Sequence, residues 1–498
     1  MERDFDVIVI GSGAGGAAFA HGCARAGKSV LLVERGSRPE HTTPPLDERA
    51  NLIDKAPYDD RRIQVNDIPL RLFMGGVLGG GTAVFGAALL RPGSEDFHPG
   101  RQYGERLDRG LWDWPISYDD LKPFYDQAEE LFRLTGSCDE SFAPLHSPGR
   151  HVDNRQLPLA PINERLMATS RSDGLRPFRL PLAIETARCQ RCDSCAGYLC
   201  PNGARRSATQ VIDEAVASHT LRVMPDTEVT RLVTGIHGRI DGVIVRERGT
   251  GTTHCFRASC YALAAGAIGS PAIALKSGLD GPHVGRNYMM HYSPIAVGVF
   301  ARPTGASESF IKQVGFADFY FGTSDCPHKM GIVQSLPAPG PLMLKKSGLK
   351  QIPSCILRFF RKRLLPLAGI VEDLPNPQNR VFVKHDGSIG MNHDFSPFDR
   401  ERGAALGRAM CRILRRAGAV ACSSRSFPSR EHVAHQCGTL RFGRDRAHSV
   451  VDADCRWFGR SNLFVVDGSI LPTSMGVGPS LTIIANALRV ADIALAAM

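Results

Sequence analysis

The chain has 498 residues, 43% of them apolar, which is enough to bury a large core in two or more lobes and excludes a disordered or fibrous protein. Its formal net charge is +10, yet Lys345, Lys346, Lys350, Arg358, Arg361, Lys362 and Arg363 supply seven of those charges within residues 341–370, a stretch without an acid. The excess is one basic patch, not the general coat of a nucleic-acid binder, and no run is long and clean enough to span a membrane.

FDVIVIGSGAGGAAFAHGCARAGKSVLLVERG reads as a buried strand, a tight glycine turn, a helix and a second strand ending at Glu34, a βαβ unit. Acids precede the first strand and glycines follow it at once, so no signal peptide is expected ahead of it. Gly11 makes the turn, Gly13 lets backbone approach a pyrophosphate, and Gly16 lets helix and strand pack closely. Glu34 can accept from a ribose hydroxyl, and Arg35 beside it is a further candidate contact. With the strand before, the helix after and the acid at this distance, the glycine pattern points to dinucleotide binding, for NAD or FAD alike. The choice comes from farther along the chain. Gly79, Gly80 and Gly81, followed by Thr82, imply a second backbone-only surface, and a third glycine-rich element closes the sequence. Three such elements suit a long ligand with a ribityl chain and a large ring, which is FAD.

PISYDDLKPFYDQAEELFRL predicts a capped amphipathic helix, with Asp119 or Asp120 near its start and Leu121, Phe124, Tyr125, Ala128 and Leu131 on one face. In RCQRCDSCAGYLCPNGARR, Cys189, Cys192, Cys195 and Cys200 are spaced like an iron–sulfur run with one extra residue before the last cysteine. Zinc or a cluster is one reading; a local disulfide or packed thiols, with no metal, is preferred. The remaining cysteines are scattered, which fits a reducing cytoplasm better than a disulfide scaffold. Within residues 290–437, alternating segments such as SPIAVGVFA and NRVFVKHDGSIGMNH predict an antiparallel sheet. After Pro353, Ile356, Leu357, Phe360 and Leu364 are expected to share a helical face flanked by Arg358, Arg361, Lys362 and Arg363. A solvated lid is the preferred reading, and peripheral membrane contact through residues 342–369 is the alternative. RSNLFVVDGSILPTS is a closing strand ending at Asp467 and Gly468. In SMGVGPSLTIIANALRVAD a turn through Pro479 leads into a helix at Ser480, whose free N–H groups and dipole face something electron-rich.

These segments resemble, in kind and order and over nearly the whole length, the glucose-methanol-choline (GMC) family of FAD-dependent oxidoreductases. The resemblance is carried by GSGAGG with VERG, LGGGTAVFGAALLRP, EVTRLVTG, YALAAGAIGSPAIALKSGL, VGRNYMMH, EDLPNPQNRV, HQCGTLRFG and NLFVVDGSILPTSMGVGPSLTIIANALRVAD. It implies an α/β fold with a discontinuous Rossmann-like FAD-binding domain over residues 1–95, 185–300 and 438–498. An α+β substrate domain with an antiparallel sheet would occupy 96–184 and 301–437. It also implies that Gly80, Gly81 and Thr82 pack along the diphosphate and flavin, that Val229 backbone meets the adenine, and that Ala265 and Gly266 lie near the cofactor. Asp467 and Gly468 would hold the ribityl-diphosphate. Pro479, Ser480, Leu481 and Thr482 would present the helix start to the flavin pyrimidine edge, where its dipole stabilises the reduced anion. LGGGTAVFG offers no His or Cys for attachment, so FAD is expected to be non-covalent.

The same resemblance makes His435, three residues before Gly438-Thr439, the general base for an alcohol whose hydride passes to flavin N5. Help of that kind is typically worth about 10²- to 10⁴-fold. His291 is expected to make a structural hydrogen bond near the domain junction. Two positions depart from the family's pattern: Gly478 stands where members commonly carry His or Asn, and Phe85 where many carry Asn. The expected function is oxidation of the CH–OH group of a small-molecule alcohol to aldehyde or ketone in the cytoplasm, with O2 or a carrier as electron acceptor and no nucleic-acid partner. The alternatives are a flavin-binding protein without alcohol chemistry and a membrane-docked dehydrogenase subunit passing electrons to a quinone or cytochrome.

Overall fold

The structure, a computed structural model, describes residues 4–39, 46–137, 142–149, 153, 155–192, 195–217, 220–235, 238–308, 312–426 and 430–498. The runs Phe5–Ile10, Val30–Val33, Ala258–Leu263 and Leu463–Val465 are mostly apolar on both alternating sets of positions. Such strands are stable only when both faces are covered, the condition of a parallel sheet between helices. With Leu221–Met224 they form a five-stranded parallel sheet in the order Leu463–Val465, Ala258–Leu263, Phe5–Ile10, Val30–Val33, Leu221–Met224. Helix Ala14–Arg25 packs on the first two strands of the chain and on the C-terminal helix Ser480–Ala496. The two helices meet so closely that a Cβ at Gly22 would lie 2.9 Å from that of Ala491.

A second layer is antiparallel. Its six strands run in the order Ala421–Ser426, Pro294–Val299, Leu364–Gly369, Val333–Ser335, Val314–Phe316, Phe178–Arg179. The long helix Pro397–Arg416 packs on this sheet and starts at Ser396, whose hydroxyl and backbone N–H both donate to Asp399. Leu365, Leu367, Leu406 and Met410 form part of the core between them. The strand Pro294–Val299, which SPIAVGVFA predicts as antiparallel, pairs with Leu364–Gly369 and Ala421–Ser426, although it lies inside the residues 185–300 expected in the FAD-binding domain. Its burial alternates residue by residue, the mark of a strand with one face in a core. The hairpin Arg380–Val383 and Ile389–Asn392 also leaves the expected sheet, joining Arg62–Val65 and Ile68–Arg71 in a four-stranded sheet that mixes the two expected domains. A three-stranded antiparallel sheet, Thr227–Thr234, Ile240–Glu247 and Thr253–Phe256, completes the fold.

The predicted amphipathic helix spans Tyr118–Leu131, and Ser117 caps it by exchanging hydrogen bonds with Asp120. Although it falls in a region expected on the substrate side, it packs on the C-terminal helix, with Tyr125 Oη 2.9 Å from Thr482 Oγ1. After Pro353 the helix ends at Arg361, and Leu364 begins a strand instead of continuing the apolar face. Leu357 is buried, whereas Ile356, Phe359 and Phe360 are 43%, 56% and 45% exposed. Among the described residues no helix is long and apolar enough to cross a membrane.

Candidate active site

The carboxyl ends of the parallel strands and one face of the six-stranded sheet enclose a cavity of about 2030 Å³. From the first come Ile10–Gly15, Val33–Gly36, Ala264–Gly266, Asp467 and Gly468; from the second, Ile295, Val297, Gln334, Pro366 and Ala368. This is where open α/β sheets bind ligands, because the glycine turns and helix starts that follow each strand gather there. The glycines test what the cavity holds. Gly11 has φ +103° and a Cβ there would strike Ala264 O at 2.4 Å, so its role is already set by the fold. Gly16 likewise serves packing, since its Cβ would lie 2.0 Å from Gly11 O. Gly13, at φ −65°, and Gly81 have no such reason: a Cβ at either meets no protein atom within 4 Å. What a side chain there would displace is the occupant of the cavity, and bare backbone of this kind fits the diphosphate of FAD.

Glu34 ends its strand with the carboxylate facing this turn. It accepts from Ser12 N at 3.0 Å, Ser12 Oγ at 2.5 Å and Gly36 N at 2.6 Å, and burial raises its pKa against those bonds. Ser12, which sequence reasoning passed over, also accepts from Gly79 N at 2.9 Å and so ties the two glycine segments together. Its only sequence signal is its place inside the glycine motif. Arg35 donates to Asp59 and Asp60 while lining the cavity. Gly80, Thr82 and Val229 line it as well. The Thr82 hydroxyl is taken up in binding Gly79 O and Ala208 N. Ala265 and Gly266 start a helix, and Gly266 N donates to Asp467 Oδ2 at 2.8 Å. Pro479 and Ser480 line the cavity, but Leu481 and Thr482 do not: Leu481 lies in the main core and Thr482 bonds Tyr125. The helical turn sends those two side chains inward, leaving only their backbone N–H groups near the helix start.

A pair of histidines stands over the substrate side. Met289 and Cys437 exchange backbone hydrogen bonds as an antiparallel bridge, and that register sets residue 291 opposite residue 435. His435 Nδ1 and His291 Nδ1 are 2.8 Å apart, and His291 Nε2 is 2.8 Å from Met475 O. A carbonyl only accepts, so His291 carries its proton on Nε2. Burial pushes the His291 pKa down to about 4, so it is neutral and its Nδ1 is an acceptor. His435 therefore donates from Nδ1, and its Nε2 carries a lone pair. Burial above all, then electrostatic interaction with His291, the Lys312 cation and His432, holds the His435 pKa well below the ordinary value. Gly478 lies beside that lone pair: a Cβ on it would be 3.3 Å from His435 Nε2.

Both ends of this relay sit on left-handed backbone, with φ +64° at His435 and +61° at Met475. Such conformations in non-glycine residues persist only where the surroundings impose them. At Met475 a buried ionic cluster does so. Met475 N donates to Glu372 Oε1 at 2.9 Å, and Gly476 N to the Tyr320 hydroxyl at 3.1 Å. Lys329 Nζ lies 2.7 Å from both Glu372 and Asp96, and all three side chains are fully buried. Nothing local in the sequence marks these residues, because each comes from a different segment.

Cys189, Cys195 and Cys200 are free thiols. Among the described residues, no group of three or more His, Cys, Asp or Glu is placed to hold a metal. Arg205 organises this loop by donating to the carbonyls of Ala83, Cys195 and Tyr198.

Family models described as GMC oxidoreductase match residues 5–293 and 375–487. The chain is 33% identical over 520 residues to 6'''-hydroxyparomomycin C oxidase of Streptomyces lividus, covering 98% of this chain and 91% of that one. It is 30% identical over 526 residues to paromamine 6'-oxidase of Streptomyces fradiae, with the same coverage. Pyridoxine 4-oxidase from Mesorbium loti has a similar fold, with a TM-score of 0.68 at 18% identity over 98% of both chains.

Proposed function

The chain belongs to the GMC oxidoreductases, FAD enzymes acting on CH–OH donors, and we propose that His435 Nε2 is the base that takes the hydroxyl proton of its alcohol. The observation that carries this reading is the hydrogen-bond relay from His435 to His291 to Met475 O, which leaves an unprotonated nitrogen open to the cavity. Bound along the glycine-lined wall, FAD supplies the acceptor for the hydride leaving the alcohol carbon. The alcohol thus loses a proton to His435 and a hydride to the cofactor, and becomes a carbonyl. Because burial keeps His435 neutral at pH 7, it is in its basic form before substrate arrives. Once protonated at Nε2, the ring still donates from Nδ1 to His291, which stays neutral, so the new charge keeps a fixed partner.

His291 is thereby a positioning residue in addition to its structural role, since its tautomer dictates that of His435. Asp467 holds the Gly266 N–H and the Ser270 hydroxyl and orders the wall along the cofactor. Two relatives, at 33% and 30% identity, are named as oxidases, which supports O2 as the electron acceptor, with hydrogen peroxide as the second product. Apart from Cys192, the described cysteines are free thiols, which supports a reducing compartment such as the cytoplasm. The test is anaerobic mixing with a panel of alcohols while the flavin absorbance is followed. Wild type should bleach with at least one alcohol, and His435→Ala should keep its FAD but bleach far more slowly. Equal bleaching rates in the two would end this reading.

A further inference from the structure

Gln334 lies on the strand Val333–Ser335 and Lys312 two residues before the neighbouring antiparallel strand Val314–Phe316, and both line the cavity. Lys312 Nζ donates to Gln334 Oε1 at 2.8 Å. An ammonium has only donors, so this contact fixes the amide with its oxygen toward Lys312 and its nitrogen away. Gln334 is 3% exposed, and among the described residues its Nε2 has no hydrogen-bond partner. No carboxylate among the described residues forms an ion pair with Lys312, in contrast to Lys329, which two carboxylates hold. Burial alone lowers the Lys312 pKa, to about 8, so at neutral pH it remains mostly a cation. It packs against Gly86, where a Cβ would lie 2.8 Å from Lys312 Cε, and its charge reaches His435.

The nearby acids on this side are occupied. Glu431 is paired with Lys55 at 3.1 Å and Lys346 at 2.6 Å, and Asp386 accepts from the backbone and hydroxyl of Ser388. Arg425, Arg430 and Lys350 add positive charge along the same cavity. A half-buried cation with spare donors, facing the cavity beside an amide with two unused N–H groups, is a donor pair that lacks its acceptor. Two oxygens of a planar carboxylate match such a pair.

We propose that Lys312 and Gln334 form the anion subsite of this active site, and that the preferred substrate is an alcohol that also carries a carboxylate, held by Lys312 Nζ and Gln334 Nε2. The proposal rests on the alcohol-oxidation reading and narrows it. It also separates this chain from relatives named for amino-sugar substrates, because a cationic substrate would be repelled here. The FAD-loaded enzyme is titrated anaerobically with two matched sets of probes, following flavin spectral perturbation, bleaching and heat. One set is gluconate, glucitol and glucamine; the other is 4-(hydroxymethyl)benzoate, benzyl alcohol and 4-(aminomethyl)benzyl alcohol. Within at least one set the anion should bind at least about 10-fold more tightly than the neutral and cationic members. Lys312→Met should abolish that preference at unchanged FAD content, and Lys312→Arg should keep part of it. Equal or tighter binding of the cations, binding of none of the six, or an unchanged preference in Lys312→Met overturns the proposal. Bleaching by neutral or cationic members would leave alcohol oxidation standing without the subsite, whereas anion binding with no bleaching by any probe would count against the oxidation reading alone.

Discussion

On the cofactor side of the cavity, Gly13, Gly81 and Gly266 present bare backbone, and a Cβ at any of them meets no protein atom within 4 Å. On the substrate side, His435, His291, Lys312 and Gln334 present polar side chains joined in pairs at 2.8 Å, His291 and Gln334 buried, His435 and Lys312 half-buried. The first wall recognises a ligand through shape and N–H groups that any glycine turn supplies. The second recognises through side chains whose protonation is set by their neighbours. A substitution should therefore act on cofactor content when it falls on one wall and on rate or substrate choice when it falls on the other.

The largest effect is expected from filling the backbone wall. Gly13→Val can keep its backbone conformation, so the protein should fold with an unchanged far-UV spectrum, yet it should purify without FAD because the side chain takes the cofactor's space. Gly16→Val should instead fail to fold, since its Cβ would clash with Gly11 O. A yellow Gly13→Val protein with full flavin content would break the comparison at its root.

Next comes the side-chain wall, at the base itself. His435→Ala should slow anaerobic flavin reduction by about 10²- to 10⁴-fold while FAD remains bound. pH adds a sharper form of this test. A base whose pKa is depressed stays unprotonated as pH falls through the ordinary histidine range, so the wild-type rate should be flat from pH 8 to below 6.5 and decline only in more acidic buffer. His291→Phe should cost less, about 10-fold. It also removes the acceptor that holds the Nδ1–H of protonated His435, so the acid limb should move to still lower pH. If the rate falls with no movement of that limb, His291 acts only in packing.

Gly478→Asn should change the ranking of alcohols by about 10-fold or less without altering FAD content, because the new side chain would begin 3.3 Å from His435 Nε2. The smallest effect is expected outside both walls, at the helix Ser354–Arg361. Met343–Lys350 lines the cavity as a lid would, while the helix beyond it exposes Ile356, Phe359 and Phe360 beside basic residues. Two turns of helix anchor weakly, so sedimentation with anionic vesicles should leave most of the protein in the supernatant even at low salt. Full pelleting that high salt reverses would make this surface a membrane contact.

Much of the cofactor wall was legible in the sequence because its recognition is local. The spacing of Gly11, Gly13 and Gly16 after an unbroken apolar strand, with Glu34 at the end of the next strand, specifies a turn, a helix start and a parallel pair without reference to distant residues. The glycines of residues 79–81 and the turn through Pro479 are local in the same sense. A helix start still exposes its N–H groups when the side chains of Leu481 and Thr482 point into the core, so the two residues can present backbone while their side chains pack inside.

Only the tertiary structure decided the rest. His291 and His435 are 144 residues apart and meet because one antiparallel bridge fixes their register. The clamp of Asp96, Lys329 and Glu372 on Met475 joins four segments, and Lys312 finds Gln334 across a strand pair. The alternation of SPIAVGVFA marks Pro294–Val299 as an antiparallel strand, but its partners, Leu364–Gly369 and Ala421–Ser426, are too distant along the chain for any local pattern to name. Periodicity and glycine spacing encode what a chain does with its immediate neighbours; the tautomer of a histidine or the missing partner of a lysine depends on which distant side chains the packed core brings within hydrogen-bond reach.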